Sequence, residues 1–217
     1  MSYIEVNDLC KEYRVAKTGK GIGGAIKSLF HREYTVKEAV RHVNFSVEKG
    51  EIVGYIGPNG AGKSTTLKML SGILIPTSGT VQVGGIVPYE RRRENAKRIG
   101  VVFGQRSQLY WDLPVSDTFD LYESLYDIPH ETFRKNCDLF TELLDMGGFL
   151  DQPVRQLSLG QKMKANIAVA LLHDPAVLYL DEPTIGLDVV SKKVLRQAIK
   201  AINQEKGTTV MLTTHDM

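Results

Sequence analysis

Cysteine is scarce in this chain of 217 residues: only Cys10 and Cys137 occur, far apart, and neither has CxxC or Cys/His spacing around it. A disulfide framework and a zinc site are therefore not expected, and a reducing compartment suits the pattern. An excess of one charge is also missing. Lys and Arg number 27 against 25 Asp and Glu, a formal net charge of +2 with the basic residues scattered, which makes no electrostatic case for a nucleic-acid groove. The short cluster Arg91-Arg92-Arg93 reads as a solvated helix face. Long apolar runs are absent as well. The longest extends from Ile167 to Leu172, far below the roughly 18 residues of a membrane span. The opening residues Met1 to Asp8 are charged early and lack the apolar centre of a signal peptide, so no export is expected. Any membrane role is expected to come through a partner. What is present, 42% hydrophobic and 24% charged residues, suits a soluble globular domain with a real core.

Val43, Phe45 and Val47 alternate with Asn44 and Ser46, which predicts a half-buried strand ending at the turn Lys49-Gly50. Ile52 to Ile56 is expected as a buried strand. Beyond a glycine-rich stretch, Leu67, Leu70 and Leu74, with Met69 and Ile73, repeat at helical spacing up to Pro76. Further strands are expected at Val81 to Val83 and Ile99 to Phe103, and buried central ones at Val177 to Leu180 and Thr208 to Thr213. Between Gln105 and Leu157 the strand signals fade, and Leu139, Leu143, Leu144 and Phe149 suggest helices. The expected organisation is one domain over 1–217: a core with a β subdomain in 1–104 and 166–217, and a helical subdomain in 105–165. An insert at 17–37, with Gly19, Gly21, Gly23 and Gly24 ahead of a short helix, completes it.

Gly57-Pro58-Asn59-Gly60-Ala61-Gly62-Lys63-Ser64 matches GxxxxGK[ST] in full, between a predicted strand and a predicted helix. Small residues let backbone N–H groups close around phosphates, and the helix that follows points its positive end at them, so Gly57 to Ser64 and the next residue, Thr65, are the candidate phosphate-binding residues. Lys63 supplies a point charge for the β- and γ-phosphates. Ser64 is placed to ligate Mg²⁺, an ion that takes oxygen ligands and keeps waters. A glycine-rich turn without a ligand is the competing reading, and the strand and helix around the motif disfavour it.

Val177 to Leu180 is an apolar strand delivering Asp181 and Glu182 at its carboxyl end, where open α/β sheets place ligands. Successive strand residues face opposite sides, so the two carboxylates can divide their work, Asp181 holding the metal and Glu182 serving as catalytic base. Leu157-Ser158-Leu159-Gly160-Gln161 lies shortly before that strand and opens another helix. The ordered set of phosphate loop, Gln105, Leu-Ser-Leu-Gly-Gln, Leu-Asp-Glu-Pro, Gly186-Leu187-Asp188 and His215 resembles the nucleotide-binding domain of ABC ATPases along nearly the whole chain.

That resemblance implies an α/β fold: a RecA-like P-loop NTPase core with an antiparallel β subdomain and an inserted helical subdomain. It further implies a dimer, of identical or closely paralogous subunits, sandwiching two Mg-ATP molecules. Each ATP would lie between the phosphate loop of one subunit and the signature of the other. Ser158, Gly160 and Gln161 would meet nucleotide across the interface, as would Asp188. His215 would touch the γ-phosphate and steady Glu182, and Gln105 would reach the metal and the attacking water. An aromatic residue is expected against adenine, Tyr13 by order, with Tyr34 as rival because of the insert. The commonest signature has glycine where this chain has Leu159, which puts the turnover rate in question. The family also continues beyond the point where this chain stops, which implies a C-terminal truncation and an exposed position for His215.

The stretch Val101 to Pro114 together with Thr184 to Asp188 resembles bacterial exporters that have separate permease subunits. The expected protein is therefore a transport ATPase, cytoplasmic and held peripherally on the inner face of the membrane by its permease, with no nucleic-acid partner. Two alternatives are a soluble ABC factor acting on nucleic acid or ribosomes, and an unrelated P-loop kinase or GTPase. No long coiled coil, zinc finger or second cassette supports the former, and the signature argues against the latter. In the insert, Ile22, Ile26, Leu29 and Phe30 can share a helical face edged by Lys27, His31 and Arg32. That pattern suits either docking to permease or lipid, or a satellite helix packed on its own domain.

Overall fold

The computed structural model describes residues 2–16, 34–104 and 107–214. Strands β1 (Ser2–Ala16) and β2 (Tyr34–Glu48) pair antiparallel, and β4 (Ser78–Val83) joins the other edge of β1, giving the order β2-β1-β4. Ile4 and Val6 alternate with exposed Glu5 and Asn7. The register then shifts between Val6 and Leu9, at a positive φ on Asp8, so that Leu9 returns to the core. The expected insert ends too late: Tyr34 to Lys37 belong to β2, because β1 runs on to Ala16 and the pairing extends to Ala16↔Tyr34. The short helix expected around Leu29 and Phe30 lies outside the described residues.

Four parallel strands, β3 (Ile52–Ile56), β5 (Ile99–Phe103), β6 (Val177–Asp181) and β7 (Thr209–Thr214), form the second sheet in the order β3-β7-β6-β5. Helix α1 (Lys63–Leu70) follows β3, and the one-turn α2 (Arg92–Ala96) precedes β5 with Arg91, Arg92 and Arg93 exposed, as expected of a solvated face. Helices α3 (Val115–Tyr126) and α4 (His130–Leu143), a short 3-10 turn at Val154–Gln156, and α5 (Leu159–Leu171) make up the helical segment. Helix α6 (Val189–Lys206) leads into β7. The expected subdomain boundary at residue 165 falls inside α5, which is one continuous helix whose later turns pack on β5.

Central β6 is apolar from Val177 to Leu180 because it is buried on both faces. Leu178 and Leu180 face a core shared with the helices, and Val177 and Tyr179 face one shared with α1 and the antiparallel sheet. Two sequence readings are corrected here. Ile52 to Ile56 is not buried: β3 is the sheet edge, and Ile52 and Ile56 are 39% and 55% exposed while Val53 and Tyr55 pack inward. The helix expected to reach Leu74 stops at Leu70, because Gly72 takes φ +78 and its backbone lies so close to Pro88 that a Cβ would sit 2.5 Å from that carbonyl oxygen.

Gly100 governs how closely α5 can lie on β5. A Cβ there would stand 2.2 Å from the carbonyl oxygen of Ala170. Gly100→Ala must therefore push α5 off the sheet, and urea unfolding should register a loss of about 3 kcal/mol. A loss below about 0.5 kcal/mol, the level of an indifferent surface change, would contradict this packing.

Candidate nucleotide site

Parallel pairing brings the carboxyl ends of the four strands to one edge, with Ile56 beside Thr214, Thr213 beside Asp181, and Asp181 beside Phe103. The phosphate loop leaves β3 at that edge. Gly60 and Gly62 adopt φ +83 and +87, and a Cβ on Gly62 would fall 2.3 Å from the carbonyl oxygen of Ala39, so this position admits only glycine. No side chain caps the start of α1, which leaves its first N–H groups for a ligand. Lys63 is 5% exposed, and its Nζ donates to the carbonyl oxygens of Gly57 at 2.6 Å and Pro58 at 3.0 Å, with Glu182 Oε1 3.8 Å away.

Asp181 ends β6 and is buried, and its Oδ1 accepts from Ser64 Oγ at 2.9 Å and from Thr213 Oγ1 at 2.7 Å. Glu182 does not diverge from it by strand alternation, as the sequence suggested. The strand has ended, and Glu182 turns away through a left-handed φ of +53, with its N–H bonded to Thr213 Oγ1 at 3.0 Å. Thr213, a buried hydroxyl on the neighbouring strand, thus orients both acidic residues. The sequence reading missed it, although a threonine directly after the apolar run Val210 to Leu212 of a central strand was the available signal.

A cleft of about 710 Å³ joins these parts: Asn59, Gly60, Gly62, Lys63, Ser64, Thr65 and Glu182 on one side, and Tyr13 to Ala16 with Lys37 to Ala39 on the other. Tyr13, 37% exposed, lines it, with Lys11 Nζ 5.5 Å from its ring centroid; Tyr34 does not line it. Arg14 and Lys37, which the sequence reading passed over, add positive charge to the Tyr13 side of the cleft. Pro58 and Ala61 complete the loop, closed by Ala61 N–H to the Pro58 carbonyl at 3.2 Å.

None of the signature residues lines this cleft. Ser158 caps α5: its Oγ accepts from Gln161 N–H at 3.2 Å, and Gln161 Oε1 accepts from Ser158 N–H at 2.8 Å. The Gln161 side chain is thereby engaged within its own helix. Gly160 faces Ser191, which bonds the exposed carboxylate of Asp188, the cap of α6. The hydroxyl of Ser191, then its N–H, hold the Asp188 pKa below the ordinary carboxylate value. Gln105 and His215 lie outside the described residues.

A family profile described as ABC transporter matches residues 40–185. The chain belongs to the ABC transporter family. It is 34% identical over 87% of its length to the ABC transporter ATP-binding protein NatA of Bacillus subtilis (strain 168), covering 76% of that protein. It is 36% identical over 92% of its length to the Nod factor export ATP-binding protein I of Ralstonia nicotianae, covering 62% of it. In five of the bacterial relatives it matches, these two among them, the chain spans 31% to 76% of their length. Among solved structures it resembles a dimeric ATP-binding cassette in a post-hydrolysis state bound to ADP and Pi, at a TM-score of 0.75 and 27% identity, covering 98% of this chain and 88% of that one. The expected P-loop NTPase fold holds in this chain of the ABC transporter family.

Proposed function

We propose that this chain drives a separate membrane permease, dimerising around Mg-ATP, and that the cargo moves outward. The observation that carries this reading is the separation of parts: phosphate-loop residues and Glu182 line one cleft, with Asp181 bonded to Ser64 behind it, whereas Ser158, Gly160 and Asp188 lie outside that cleft on the same subunit. A second helix N-terminus that lines no part of this cleft is explained if it serves a nucleotide held by a partner, and the resemblance to a dimeric cassette supports that. Export rests on relatives whose names include Nod factor export and a probable multidrug transporter, and NatA and the bacitracin relative are likewise named for transport. Among the described residues no helix is long and apolar enough to cross a membrane, so the membrane passage falls to the partner in this reading.

In the cleft, Tyr13 offers a flat face for adenine, the loop backbone from Gly57 to Thr65 cradles the phosphates, and Lys63 turns its ammonium from the loop carbonyls to the β- and γ-phosphates. Ser64 and Asp181 fit Mg²⁺: two oxygen donors already 2.9 Å apart form an open half-shell, which suits an ion that completes its octahedron with phosphate and water. Bound there, Mg²⁺ would neutralise charge on the β- and γ-phosphates. Glu182 orients the attacking water and accepts its proton. Gln105 and His215 are assigned to the same reaction, touching the water and the γ-phosphate respectively.

Affinity purification of the tagged chain from detergent-solubilised membranes tests the partner. Recovery of a protein with several membrane spans, whose presence changes the ATP hydrolysis rate, is the expected outcome. Recovery solely with soluble nucleoprotein particles would overturn the transport reading.

A further inference from the structure

The first turn of α5 and the turn from Gly186 to Asp188 lie together. Gly186 takes φ +74, and a Cβ there would lie 3.0 Å from Leu159 Cδ2, so the leucine rests directly on that glycine's backbone. One residue on, a Cβ at Gly160 would lie 3.4 Å from Ser191 Oγ and 3.9 Å from Leu187 Cδ2. Ser191 then holds both oxygens of Asp188, its N–H at 2.9 Å from Oδ1 and its Oγ at 2.6 Å from Oδ2. Leu159 on Gly186 is thus the close contact that fastens the signature to the Asp188 turn within one subunit, and Gly160 leaves room beside Ser191 for the two segments to lie together. That contact exists only because this chain carries leucine where the commonest signature carries glycine.

We infer that Leu159 is a positioning residue that clamps the Gly186–Asp188 turn to the start of α5, so that the signature and Asp188 reach the partner subunit's nucleotide as one unit. The inference rests on the reading that both act across the dimer interface. Its physical basis is that Gly186 is free to swing, and a swing of even part of an ångström separates Asp188 from Ser158 and Gly160 at the reacting phosphate. A side chain seated on Gly186 removes that freedom. Leu159 remains 40% exposed, so the clamp adds little to the stability of the isolated subunit. Its effect is expected in the rate.

Leu159→Ala removes the contact while keeping a good helix former at this position, and Leu159→Met restores a long apolar side chain. Both are compared with the parent and with Ser158→Arg for fluorescent-nucleotide binding, thermal melting, and ATP hydrolysis over a range of ATP and protein concentrations. Leu159→Ala should bind nucleotide within about twofold of the parent and melt at nearly the same temperature, with kcat lowered about tenfold at little change in KM. Leu159→Met should recover most of the rate. A merely structural leucine would lower the melting temperature and leave kcat per folded subunit unchanged. Parental kcat in Leu159→Ala, or no recovery in Leu159→Met, overturns the clamp. Ser158→Arg hydrolysing at the parental rate would instead overturn the reading of action across the interface, and the clamp with it, a failure visible without any change at Leu159.

Discussion

Glu182→Gln should bind Mg-ATP at least as tightly as the parent, hydrolyse it about a thousandfold more slowly, the range expected for loss of a general base, and accumulate as an ATP-bound dimer. The geometry separates affinity from turnover. Ser64, Asp181 and Thr213 hold one another without Glu182, and Lys63 draws on the loop carbonyls, so the phosphate and metal contacts survive the change. The substitution also removes a negative charge 3.8 Å from Lys63 Nζ, beside the place where the γ-phosphate would sit, which eases binding. An amide keeps the shape of the side chain and the left-handed turn at residue 182, but it cannot take a proton from water. Gel filtration with Mg-ATP and a steady-state hydrolysis assay check the two halves. A monomeric variant, or one hydrolysing at the parental rate, would remove Glu182 from the role of base.

Local patterns carried much of this site. The phosphate loop and the Asp181-Glu182 pair are each contiguous, and the physics that places them is confined to a strand, a turn and the start of a helix. What escaped was set by strand order and register. Thr213 touches Asp181 only because β7 lies parallel beside β6 with residues 213 and 181 in register, a relation across 32 positions that leaves no periodic trace. Ile52 to Ile56 has the composition of a buried strand, yet its exposure follows from standing last in the order β3-β7-β6-β5. Tyr13 and Tyr34 could not be separated by spacing, since the insert hides the pairing that sets Tyr13 opposite Lys37 and within the cleft. The turn at Glu182 was invisible for another reason: a left-handed glutamate is an exception that surroundings impose, and neighbours in sequence do not announce it.

Lys63→Ala and Ser158→Arg should fail in different ways, and the difference tests whether the two halves of the site belong to different subunits. Lys63 is buried within the cleft and carries the only full positive charge the phosphate loop itself contributes, so its loss should weaken nucleotide binding to a single subunit about a hundredfold, near 2.7 kcal/mol. Ser158 is exposed, lines no part of that cleft, and begins a different helix. Arginine there should leave single-subunit affinity within about twofold of the parent, yet abolish the ATP-induced dimer, because its bulk and charge occupy the surface that would meet the other subunit's nucleotide. The same substitution removes the capping box of α5, at a cost of about 1 kcal/mol, so Ser158→Ala is the necessary companion. It loses the same cap without the bulk, and should retain some ATP-induced dimerisation. Titration with a fluorescent nucleotide at subunit concentrations below dimerisation, followed by gel filtration with Mg-ATP, reads both effects. Equal loss of affinity in Lys63→Ala and Ser158→Arg would mean that the signature serves its own subunit's nucleotide, and would refute the exchange of parts between partners.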